Sequence, residues 1–200
     1  RRELDLDEGM ARVSYVCDGV TYNREYFVSY PDKVMVLRLT CSPAGNLDGT
    51  VSVTTPHSGA SITASSGVIT LSGAVASNSM AYEAQFSVAQ VGGSLATGSS
   101  TVTFSNADEV TIIMAAGTDY ENVHPNYKGS HPSAAVTSTL NTAKAKAYSV
   151  LRSAHVADYQ GLYNNVELDL NATPSQVPTD QLLSSYSGAD RNLEELFFQY

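Results

Sequence analysis

The chain contains no tryptophan, two cysteines and only 11 basic residues in a length of 200. Each shortage removes a class of protein. Two cysteines cannot staple a small disulfide scaffold, and 200 residues are enough to bury a core without one. Eleven Lys and Arg against 20 Asp and Glu give a net charge of −9. That is the wrong sign for a phosphate-binding surface, so nucleic acid is not an expected partner. No stretch approaches the roughly 18 consecutive apolar residues of a membrane span. Arg1-Arg2-Glu3-Leu4-Asp5-Leu6-Asp7 also lacks the apolar segment of a signal peptide. With 16% charged and 42% hydrophobic residues, a disordered acidic tail is excluded as well. What is abundant is hydroxyl: Ser and Thr make up about a fifth of the chain, and there are 12 Tyr. Such a composition suits β-sheet and is common in extracytoplasmic proteins that handle carbohydrate.

Catalytic signatures are also missing. His57, His124, His131 and His155 stand singly, with no HExxH, and Cys17 and Cys41 lack a CxxC spacing, so neither a zinc site nor any other metal or cofactor is expected. There is no GxSxG elbow, no P-loop and no GxGxxG between a strand and a helix. Cys17 and Cys41 either form one disulfide, if their strands are adjacent, or serve as two small buried hydrophobes.

From about Asp5 to Asp119 the hydrophobic period is two. Ala11–Cys17 reads as a strand, Asp18-Gly19 as a tight hairpin turn, Val20–Tyr30 as the returning strand and Lys33–Cys41 as a third. Further strands are expected at Thr50–Thr55, Ser61–Thr63, Val68–Leu71, Tyr82–Val91, Thr101–Phe104 and Glu109–Ala116, punctuated by Gly, Pro, Asn and Ser. Short strands without intervening helices indicate a sandwich or barrel. After a loop from Gly117 to Pro132, helical spacing takes over from Ser133 to Asn165, where two helices in series are expected. Asn171–Pro178 reads as a linker, Thr179 as the N-cap of a short helix to Tyr186, and Asp190 as the cap of a last amphipathic helix without a stop signal. The open start and open end lead to the expectation of a piece of a longer protein. No internal repeat is present.

Two places crowd polar and aromatic residues. The Gly117–Pro132 loop carries Tyr120, His124 and Tyr127, whose faces suit sugar rings while neighbouring Asn and Lys can bond hydroxyls. A plain brace between sheet and helix is the competing reading. His155, Asp158 and Tyr159 share one helix face, which suits a polar contact to an adjoining element or a substrate contact. The carboxylate pairs Asp5/Asp7, Asp108/Glu109 and Glu194/Glu195 invite a glycosidase argument, but sequence adjacency favours structural roles.

Several segments lie in a telling order: Leu4-Asp5-Leu6-Asp7 with Ala11-Arg12-Val13, then Gly19 to Asp32, Tyr82-Glu83-Ala84-Gln85, Gly92-Gly93 and Asn106-Ala107-Asp108-Glu109. Thr118-Asp119-Tyr120, His155 to Tyr159, Pro178-Thr179-Asp180 and Leu196-Phe197-Phe198-Gln199-Tyr200 continue it. In series these resemble the N-terminal part of glycoside hydrolase family 95, the α-L-fucosidases. The resemblance implies a mainly β fold with a C-terminal helical part: a β-supersandwich over residues 1–132, linker helices over 133–171 and the first helix of a truncated (α/α)6 barrel over 172–200. It further implies an inverting, metal-free hydrolase of terminal α-L-fucosides, with α-L-galactosides preferred by some members. An acid protonates the leaving oxygen, and a water held by asparagine and carboxylate groups attacks the anomeric carbon.

None of the family's catalytic residues matches a position here, so the fragment alone is expected to be inactive and to support its own catalytic domain. Tyr120, His124 and Tyr127 are the candidate substrate-binding residues, and no residue is assigned to catalysis or to a metal. Asn164 and Asn165 are expected to be structural, since the family often has Arg at this point. Leu183 replaces a common Arg, which questions a linker-to-barrel ion pair. The expected substrate is a fucosylated oligosaccharide or polysaccharide, and the implied location is secreted or periplasmic. A carbohydrate-binding or adhesion sandwich with a helical stalk is the alternative. Leu193, Leu196 and Phe197 favour the enzyme, because a binding module has no use for an apolar helix face without a partner.

Overall fold

A computed structural model describes residues 1–200, and its first eleven elements are strands. They are β1 (Arg2–Asp5), β2 (Met10–Cys17), β3 (Val20–Ser29), β4 (Val34–Ser42), β5 (Leu47–Val51), β6 (Ser61–Ser65), β7 (Val68–Ala74), β8 (Ala81–Val91), β9 (Ser94–Thr97), β10 (Val102–Ala107) and β11 (Glu109–Thr118). Eight of them pair antiparallel in the order β1-β2-β3-β4-β11-β8-β7-β6, and β5-β10-β9 form a second sheet of three strands. Asp18 and Gly19 both take positive φ, +51° and +77°, which lets a two-residue turn join β2 to β3 with Cys17 opposite Val20.

Alternation along the strands gives the large sheet two working faces. On β4, Val34 and Val36 join Met10, Phe27, Ile113 and Ala115 in a core covered by helices. Leu39 and Cys41, of opposite parity, join Leu47, Ile69, Val88, Val102, Phe104 and Val110 between the two sheets. The small sheet covers only part of its face, because Val28 (68% exposed) and Met35 (41%) on the same face remain open.

The helical part follows the expected break. α1 (Ser133–Lys144) and α2 (Tyr148–Tyr163) are separated by Ala147, whose backbone is extended. Val136, Leu140 and Ala143 of α1 and Leu151 of α2 cover the Phe27 face of the large sheet. The chain ends with α3 (Thr179–Ser185) and α4 (Arg191–Gln199). Asp190 caps α4 as expected, its side chain accepting the N–H of Leu193 at 3.0 Å.

Two local expectations need correction. Thr179 is not an N-cap but the first helical residue; Pro178 flanks it and gives no side-chain cap. The strand expected at Thr50–Thr55 ends at Val51, and β9 was not foreseen, since four residues are too few to show a period. The choice left open for Cys17 and Cys41 falls against a disulfide, because β3 lies between their strands and separates them by two ladder spacings; both are free, with Cys41 partly buried and Cys17 exposed. Asp5 ends β1, and Asp7 lies in the turn that follows it.

Candidate functional site

The loop after β11 is built on one buried carboxylate. Asp119 is 4% exposed. Its Oδ1 accepts the N–H of Ala81 at 2.9 Å, its own N–H donates to the Ala81 carbonyl at 3.0 Å, and its carbonyl accepts the Gly129 N–H at 2.6 Å. Asp119, through its side chain and its backbone together, therefore ties both ends of the loop to the start of β8. Lys128 adds a second tie, with Nζ 3.5 Å from Asp119 Oδ2 and donating to the Ser79 carbonyl at 3.2 Å.

Within that frame the loop folds back on itself. Tyr120 pairs with Lys128 across a β-bridge, Tyr127 donates its N–H to Val123 at 2.9 Å, and Glu121 donates to the Tyr127 carbonyl at 3.2 Å. The fold-back brings the three expected residues together around Tyr127. The Tyr120 and Tyr127 rings are nearly parallel, 3° apart with centroids at 6.5 Å, and His124 stands edge-on to Tyr127 at 6.1 Å. Tyr120 is 58% exposed and Tyr127 46%. The result is an open aromatic shelf, suited to stacking on the apolar face of a sugar ring.

His155 has another task. It is buried on α2, its Nε2 lies 3.1 Å from the carbonyls of both Glu8 and Gly9, and its ring stacks on Phe27 at 4.9 Å. Tyr159 lies against Gly9, so close that a Cβ there would be 2.8 Å from its ring. The shared helix face therefore grips the turn between β1 and β2, and the structural reading of that face holds.

Of the carboxylates that invited a catalytic argument, Asp5 and Glu109 are engaged by arginines, and their neighbours Glu8 and Glu25 by Arg and Tyr side chains. Arg12 Nη1 donates to Asp5 at 2.6 Å and Arg12 also pairs with Glu8, which accepts from Arg152 at 2.6 Å as well. Arg38 donates to Glu109 at 2.6 Å, and Tyr148 donates its hydroxyl to Glu25 at 2.9 Å. Arg152 holds the Glu8 carboxyl below the usual range against the opposing effect of burial, and Arg38 does the same for Glu109. Burial pushes Asp5 up, but bonds from Arg12 and from the N–H groups of Glu8 and Asp7 outweigh it and leave its value lowered. Carboxyls kept ionised by arginines are the opposite of the raised-pKa acid that glycoside cleavage needs. Nor do any three His, Cys, Asp or Glu side chains converge as a metal site would require.

Two roles escaped the sequence. Glu195 accepts the backbone N–H groups of Leu170 and Ala172 and fastens the linker to α4. Asn192 accepts the N–H of Ser175 at 3.2 Å in the same way. Their partners are irregular backbone about 20 residues away, which leaves no periodic trace. Asn165 is structural as expected, donating to the Gly161 carbonyl at 2.6 Å at the end of α2.

Comparison with known proteins agrees with the order of these parts. Residues 1–123 match the glycosyl hydrolase family 65 N-terminal domain, and residues 147–200 match the glycosyl hydrolase family 95 catalytic domain. The whole chain is 37% identical to "Probable alpha-fucosidase A" of Aspergillus niger over 27% of that protein. It is 27% identical to "Alpha-L-fucosidase 2" of Arabidopsis thaliana over 28% of its length. The chain thus spans a little over a quarter of these relatives. A solved structure described as "Putative kojibiose phosphorylase from human microbiome" superposes with a TM-score of 0.55 over 81% of this chain and 24% of its own, at 10% identity, a likeness of fold alone.

Proposed function

Because this chain belongs to glycoside hydrolase family 95, we propose that the protein containing it removes terminal α-L-fucosyl groups from oligosaccharides or glycans with inversion at the anomeric carbon. The observation that carries this reading is the continuous similarity of all 200 residues, sheet and helices together, to proteins named as fucosidases. Residues 1–132 serve as the β-supersandwich, 133–171 as the helical linker and 172–200 as the start of an (α/α)6 catalytic barrel. The fragment is a scaffold and carries neither the acid nor the water-activating group, since its arginine-paired carboxylates are unsuited to donate a proton at neutral pH. Exposed Phe197, Phe198 and Tyr200 on and beside α4 supply an apolar face for the rest of the barrel to cover. Tyr120, His124 and Tyr127 form a shelf for the glycan beside the fucosyl group. The protein works outside the cytoplasm, as secreted or periplasmic enzymes on such substrates do.

The test is hydrolysis of 2′-fucosyllactose by the whole protein, followed by proton NMR. L-Fucose should appear first as the β anomer. Release of the α anomer would overturn inversion, and inertness toward fucosides with activity on an α-L-galactoside would transfer the assignment to the galactosidase reading.

A further inference from the structure

A groove of about 560 Å³ lies between β1, the end of α2 and α4, outside the aromatic shelf and the arginine-paired carboxylates. That volume is within the range of about 300–1,000 Å³ typical of small-molecule sites. We propose that this groove is a second, non-catalytic site that binds a neutral saccharide at the joint between the sheet and the last helix. The proposal does not depend on the fucosidase reading.

Several polar groups of the groove are held by one bond and keep further bonding capacity unused. Glu195 holds two backbone N–H groups through Oε1, and its Oε2 has no partner within the chain. Asn192 accepts through Oδ1, which leaves its amide N–H groups free, while Gln199 donates through Nε2 to the Val166 carbonyl at 3.3 Å, which leaves its oxygen free. Asn164 makes no side-chain hydrogen bond at all, although it lines the same wall. Unused donors and acceptors thus stand side by side along the groove, as a polyhydroxylated ligand requires. Apolar contact comes from Leu4, Leu6 and Leu196 and from Tyr163, whose ring is braced on Tyr159 at 5.2 Å. An aliphatic and aromatic floor suits the C–H faces of a pyranose.

Charge narrows the class of ligand. The lining includes Asp7, Glu167 and Glu195 but no Lys, Arg or His, so an anion is repelled. The carboxylates do not converge as a metal site. A neutral saccharide satisfies both conditions.

The test uses the whole protein with saturating L-fucose to occupy a fucosyl site. Saturation-transfer NMR is recorded with cellobiose, maltose and xylobiose, none of which has an α-L-fucosyl end. At least one disaccharide should bind with a millimolar Kd. Asn164→Ala, which removes a side chain without protein partners, should weaken binding at least fivefold, and Tyr163→Ala should abolish it, with aryl α-L-fucoside hydrolysis and thermal midpoint of Asn164→Ala unchanged. Transfer to none of the three, as when the rest of the protein fills the groove, overturns the proposal, as does binding that Asn164→Ala leaves unaltered. Absent fucosidase activity with intact, Asn164-dependent binding would sink only the function proposed above.

Discussion

Lys146 places its Nζ 2.5 Å from Oδ1 of Asp32, across 114 residues of sequence. Asp32 lies in the turn between β3 and β4, its side chain is 3% exposed, and its other oxygen accepts the Ser29 hydroxyl at 3.0 Å. Lys146 sits in the break between α1 and α2, so the pair fixes where the helical part meets the sheet. No glycine or proline marks that break. Removing one partner of a buried pair leaves the other charge uncompensated. Lys146→Met in the whole protein should lower stability by about 1–3 kcal/mol, less than a fully buried pair because the lysine is 39% exposed. Asp32→Asn combined with Lys146→Met should recover part of the loss, which a thermal-melt cycle of the four proteins reads directly.

Gly9 connects the same two layers. It takes φ of +62° with the Tyr159 ring beneath it, so an added methyl is unfavourable for backbone and contact alike. Gly9→Ala should cost about 2–4 kcal/mol, above the usual range for a loop substitution. Adding Tyr159→Ala should relieve the contact but not the backbone strain. Urea denaturation of both variants checks this, and a neutral Gly9→Ala would refute the packing.

The arginine-paired carboxylates set an acid limit. Glu8 and Glu109 lie below their usual value of 4.5 in the folded chain, so the unfolded chain takes up protons first as pH falls. Their contribution is complete above about pH 5 and is lost as pH drops through the lower, folded values. Arg152→Ala should reduce the melting temperature at pH 7, and the difference from the parent protein should shrink as the pH falls below the ordinary glutamate range, because a protonated Glu8 no longer has an ion pair to lose. Parallel melting curves across that range would contradict the assignment.

The aromatic shelf has its own kinetic signature. Replacing Tyr120, His124 and Tyr127 together by Ala in the whole protein should raise KM for a fucosylated oligosaccharide about 2- to 13-fold, given about 0.5–1.5 kcal/mol for one aromatic stacking contact with the glycan. Values for kcat should stay near the parent's, and an aryl fucoside without a glycan beyond the fucosyl group should be cleaved normally. Unchanged KM with intact folding would leave the loop as a brace.

Alternation and turn chemistry made most of the strands legible, because a period of two and a positive-φ pair such as Asp18-Gly19 are local properties. The Asp190 cap was legible for the same reason, whereas the place of the break between α1 and α2 was not, since Ala145-Lys146-Ala147 carries no local stop signal. The sequence also brought Tyr120, His124 and Tyr127 into one short loop, so their meeting needed little from the fold. By itself, then, the sequence determined a sheet followed by helices and the family that such an order resembles. Only the tertiary structure decided that β3 separates Cys17 from Cys41, that His155 serves two carbonyls of the β1–β2 turn, and that Glu195 anchors the linker. Those relationships depend on which strands become neighbours and where a helix lands on a sheet. They arise from non-local burial, which no spacing along the chain records.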